Sequence, residues 1–84
     1  MIRYDVEAYM YDENDVNKGW YIFTYNNASD IIKKLKNAFK WSLCKRLHIK
    51  IVVIQNDKEL YAKKADIFLD WAIDIVVKKF FNIK

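Results

Sequence analysis

Eighty-four residues with a formal charge of +4, more than half of them hydrophobic, contain one glycine, no proline and one cysteine. A chain of this length buries only about 60% of its unfolded surface and has room for one core, and a lone cysteine, Cys44, excludes an internal disulfide. The near-absence of glycine argues against the phosphate-cradling loops and strained nucleophile turns of many enzymes, and no run approaches the ~18 apolar residues of a membrane span.

The charge is unevenly spread: residues 1–30 sum to −4, residues 31–64 to +8 and residues 65–84 to zero. Such a split steers an anionic partner toward the middle segment, although 13 lysines against 2 arginines is also what an AT-rich genome would encode. Met1-Ile2-Arg3-Tyr4-Asp5 places charges where a signal peptide needs an apolar run. The expectation is a cytoplasmic protein without a membrane segment.

Along the chain, Ile2, Tyr4, Val6, Ala8 and Met10 alternate with Arg3, Asp5, Glu7, Tyr9 and Tyr11, the period of a half-buried strand. Asp12 to Gly19 is polar and turns the chain into an aromatic strand, Trp20 to Tyr25, so the two form a hairpin. Asn26, Asn27, Ser29 and Asp30 supply N-cap chemistry for a helix running to about Leu47. On it Ile31, Ile32, Leu35, Ala38, Phe39 and Leu43 form an apolar stripe that should cover the sheet, with Lys33, Lys34, Asn37, Cys44 and Lys45 facing away. His48 to Gln55 is rich in isoleucine and valine and suits a central strand.

The next segment has two readings. Asn56 with Glu59 resembles a capping box, which would make residues 57–82 one helix and the fold ββαβα. A strand from Glu59 to Lys64, with Asp66 capping a helix to about Asn82, instead gives two ββα units, 1–47 and 48–84, and is the reading favoured here. The predicted fold is then α+β: one domain, ββαββα, with a four-stranded, mainly antiparallel sheet and two helices packed on one face.

The last helix has too much apolar surface for a single stripe. Leu69, Ala72, Ile73, Val76, Phe80 and Ile83 would make its core face, while Phe68, Trp71 and Ile75 form a second patch about 120° round it, with Asp66, Asp70, Asp74 and Lys78 on the polar remainder. Packing within the monomer is the plain reading of that second patch. A homodimer interface is the functional one. On the first helix, Lys34, Asn37, Trp41 and Lys45 align on the solvent side, and a tryptophan among lysines suits either a protein hot spot or base stacking with phosphate neutralisation. A further aromatic surface is expected on the sheet face left bare by the helices, where Tyr9 and Tyr11 lie with one side of the second strand, either Tyr21, Phe23 and Tyr25 or Trp20 and Ile22.

Catalytic and metal chemistry find little here. Cys44 and His48 at i,i+4 have no visible orienting group or oxyanion donor and supply only two zinc ligands. Asp12-Glu13-Asn14-Asp15 lacks the closing glutamate of a calcium loop. The sequence therefore predicts a non-enzymatic protein-binding module without catalytic residues, cofactor or metal, homodimeric and directed at a larger protein. In size and composition it is similar to the compact inhibitors or adaptors that phages and mobile elements encode against host machinery, anti-CRISPR proteins among them, an analogy only. The alternative is direct nucleic-acid binding by the basic helix, residues 31–47.

Overall fold

A computed structural model describes residues 1–84, apart from the side chain of Ser42. The elements run β1 (Ile2–Tyr11), β2 (Asn17–Tyr25), α1 (Ala28–Ser42), β3 (Arg46–Gln55), β4 (Lys58–Ile67) and α2 (Ala72–Ile75), which continues into a π-helical turn, Val76–Phe80. The strands form one antiparallel sheet in the order β2-β1-β3-β4. This is the predicted α+β architecture, and the ββαβα alternative with a helix over residues 57–82 is wrong, because Lys58–Ile67 of that segment forms β4.

Alternation decides which face is buried. Val6, Ala8 and Met10 of β1 stand opposite Ile51, Ile49 and Leu47 of β3, and all six are buried beneath α1 and the C-terminal segment. Phe23 and Tyr25 of β2 and Ala65 and Ile67 of β4 extend that face to both sides. The pairing Leu47↔Ile67 and Ile49↔Ala65 explains why β4 runs past Lys64: two more apolar residues reach the core side by staying extended. Asp66 is thus a strand residue and caps no helix.

The predicted end of the first helix is also too late. Leu43 has φ 51° and closes α1 in the left-handed conformation, after which the Lys45 N–H donates to the Tyr11 carbonyl at 2.8 Å. Carrying the helix to Leu47 would forfeit the start of β3, where Arg46 and Leu47 pair with Tyr11 and Met10. Leu43, expected in the core stripe, is consequently exposed, and Cys44, expected outside, is buried. At the other end Asn27 has extended backbone, and its side chain accepts from the Asp30 N–H at 2.8 Å, capping α1 as its residue type predicts.

Beyond β4 the chain makes a short turn with i→i−3 bonds, Ala72 N–H to Leu69 and Ile73 N–H to Asp70, before the single turn of α2. The following π turn, with Phe81 N–H bonded to the Val76 carbonyl at 2.9 Å, adds a residue to the helical repeat. That extra residue overturns one expectation. Phe80, predicted to face the core, is exposed, while Phe81 takes the buried position beside Ile73, Val77 and Ile83. Leu69 precedes the helix and is likewise exposed. The C-terminal segment is anchored where the Ala28 N–H donates to the Lys84 carbonyl at 2.9 Å. Among the described residues no helix is long and apolar enough to cross a membrane.

Candidate binding surfaces

Three surfaces carry the residues that the sequence singles out. The first lies where β4 passes into α2. Phe68 and Trp71 are 62% and 63% exposed, and Ile75, one helical turn beyond Trp71, is 49% exposed. The reason is local: Ile73 and Val77 face the core, and Asp74 reaches sideways to α1, where the Lys36 ammonium sits 3.0 Å from its Oδ1. Trp71 and Ile75 are then left on the side of the segment away from the sheet.

The second surface is a trough between α1 and the β2 edge. Lys36 points toward α2, Asn37 lies on the crest of α1 between the two sides, and Lys34 and Trp41 overhang β2. Tyr21, Lys34, Asn37 and Trp41 line one end of the trough, and Tyr25, Asp30, Lys33, Lys34 and Asn37 the other. The Lys34 ammonium lies over the Tyr21 ring, 5.5 Å from its centroid. Trp41 is 78% exposed. Lys45, placed on this row by helical spacing, lies past the helix end in the connector to β3, so the row ends at Trp41.

The third is the bare sheet face. Tyr9 stands opposite Trp20, and Glu7 opposite Ile22, so Trp20 and Ile22 share that face with Tyr9 and Tyr11. Tyr21 and Tyr25 belong to the helix side and line the trough instead. Across the sheet Tyr9 is followed by His48 and Asp66. The Arg46 guanidinium packs over the Tyr11 ring at 4.1 Å and donates to Asp15 Oδ1 at 2.7 Å and to Asp66 Oδ1 at 2.9 Å, an oxygen also 2.9 Å from His48 Nδ1. Partial burial pushes the Asp66 carboxyl up, but hydrogen bonding and charge from His48 and Arg46 outweigh it and leave the carboxyl below the usual range. The Asp15 hydrogen bond is the main reason the Arg46 guanidinium is held still more firmly protonated.

Several chemical readings meet plain geometry. Cys44 lies in the core, whereas His48 lies on the bare sheet face against Asp66, so the two side chains do not share a site. Asp66, Asp70 and Asp74 fall in β4, the turn and α2, not on one helix row. Among the described residues no group of three potential metal ligands converges. The Asp12 side chain accepts the N–H groups of Asn14 and Val16 and meets Lys18 at 3.6 Å, closing the hairpin loop. Those bonds, the Val16 one foremost, lower its carboxyl pKa against the opposing effect of burial.

Two features of these surfaces have no single-residue signal in the sequence. The parity that puts Trp20 and Ile22 outside is set by pairing with β1, since both sides of β2 are aromatic. The meeting of Lys34 with Tyr21 requires α1 to lie over β2. Comparison with known protein families, with curated proteins and with solved structures finds no match.

Proposed function

We propose that this chain is a non-enzymatic protein-binding module, homodimeric through Phe68, Trp71 and Ile75, that acts as an inhibitor or adaptor of a larger protein through the outer side of α1. The observation that carries this reading is the exposure of those three large apolar side chains, together with that of Trp41. Exposed tryptophan framed by polar residues is the usual composition of an interface anchor, and large exposed apolar side chains on a small domain suit an interaction site.

Nucleic-acid binding by the basic helix is the weaker reading. Of the two arginines, whose forked donors suit phosphate and base edges best, Arg46 is held by Asp15 and Asp66 on the other face of the sheet, and Arg3 lies beside Asp5 and Asp57. Affinity capture from a lysate of the source cell, with and without nuclease, separates the two. The expected result is a protein retained after nuclease treatment and lost with Trp41→Ala. Recovery that disappears on nuclease treatment, or that falls steeply with salt, contradicts the proposal.

A further inference from the structure

The two edges of the sheet are built differently. β4 carries Lys58, Lys63 and Lys64, and lysines along an edge discourage pairing with another strand. Lys63 also closes the helix side of that edge: its ammonium donates to the Phe80 carbonyl at 3.3 Å and lies over the Tyr61 and Phe80 rings, 5.7 and 5.5 Å from their centroids. β2 is less guarded: its one charged residue, Lys18, stands at its start and meets Asp12 at 3.6 Å, and on the helix side only Lys34 of α1 reaches over it, at Tyr21. From Gly19 to Tyr25 it contains no charged residue and no proline, its outer backbone edge is unpaired within the sheet, and the trough beneath α1 lies open beside it.

A strand laid along this edge would meet two different environments on alternate residues. Side chains pointing to the helix side would enter the trough beneath Lys33 and Lys34, where Asp30 is the one lining carboxylate, and Asp30 Oδ2 is already taken by the Asn27 side chain at 2.8 Å. Side chains pointing the other way would lie beside Trp20 and Ile22. A second copy of β2 fits poorly, because two-fold pairing would bring the Lys33 and Lys34 of both copies over the same junction.

We propose that β2 accepts an extended acidic segment of a partner protein as a fifth strand, with alternate carboxylates facing Lys33 and Lys34 and alternate β-branched side chains beside Trp20 and Ile22. Backbone hydrogen bonds along the edge supply affinity, and the trough supplies selection for carboxylates. The inference rests on the protein-binding reading and gives that reading's partner a chemistry.

The test is fluorescence anisotropy with a labelled eight-residue peptide of alternating glutamate and valine. Companion peptides carry lysine in place of glutamate, or N-methyl groups on the nitrogens of the valines alone or of the glutamates alone. A strand offers donors to β2 from one edge only. The glutamate peptide should therefore bind saturably, one methylated form should lose at least about tenfold in affinity while the other does not, and the lysine peptide should not bind. Lys33→Glu with Lys34→Glu should weaken the glutamate peptide at least about tenfold. The methylation comparison uses the unaltered protein and stands whether or not that variant folds. No binding of the glutamate peptide, equal binding of both methylated forms, or preference for the lysine peptide or an oligothymidylate overturns strand addition. A nuclease-resistant partner captured from the lysate alongside any of these results would leave the protein-binding reading in place, whereas failure of both assays would remove both.

Discussion

Asp66 is the residue on which most of the bare-face electrostatics converges. One of its oxygens meets Arg46 and His48, and Arg46 in turn holds Asp15 of the hairpin loop. Because the folded protein lowers the Asp66 pKa, the ionised carboxylate favours the native state. That contribution is present above the unfolded value of about 3.9 and is lost as pH falls through the lower folded value. Asp12 acts in the same direction. Urea midpoints should therefore fall between pH 7 and pH 3, and Asp66→Asn should reduce that fall, costing no more than about 1 kcal/mol at pH 7 because the pair is solvent-screened. An acid slope unchanged by the substitution would place the dependence in other carboxylates.

Among the elements, the first hairpin depends on its single glycine. Gly19 has φ +155°, faces Met10 across a bulge at the end of β1, and a Cβ there would stand 3.1 Å from the Met10 Cε. Gly19→Ala should destabilise by about 1 kcal/mol or more, measured by urea unfolding, since the backbone region disfavours a side chain and the neighbour must move. A change within a few tenths of a kcal/mol would show that the bulge relaxes freely. The hairpin, the N-cap of α1 and the central place of β3 were all legible in the sequence, because alternation, an asparagine cap and a β-branched run are local signals. Ends were harder. Leu47 and Ile67 are apolar in helix and strand alike, and only their pairing with each other and with Met10 decides for the strand. The π turn was hidden for a similar reason: Phe80 and Phe81 are chemically equivalent until the helical repeat is known. Of the candidate site residues, Trp41 and Trp71 could be picked out because tryptophan on a polar or doubly apolar helix is unusual, whereas the trough between Lys34 and Tyr21 exists only once α1 lies on β2.

At the scale of the molecule, exposed apolar residues lie at both ends of a body 39 × 20 × 17 Å in its principal extents. The pairs Tyr11↔Arg46 and Leu47↔Ile67 bring the end of α1, with Trp41 and Leu43, to the same end of the sheet as Phe68 and Trp71. The opposite end holds a separate hollow lined by Ile2, Tyr4, Val53, Leu60 and Tyr61. Burial, with Tyr61 adding to it, pushes the Tyr4 hydroxyl up there. Phe68, Trp71 and Ile75 are already about half covered, so two copies recover only part of their transfer energy. About half of 1.5–3 kcal/mol for each of six side chains gives about 5–9 kcal/mol. The loss of rigid-body freedom costs about 4–15 kcal/mol. Association through this patch is thus feasible and sensitive to any one anchor. The deciding measurement is sedimentation equilibrium of the unaltered chain and of Trp71→Glu, with circular dichroism of both. Dimerisation through this patch requires a mass of about twice 10.2 kDa for the former and the monomer mass, with an unchanged spectrum, for the latter. A monomeric unaltered chain, or a folded variant that keeps the doubled mass, would contradict it.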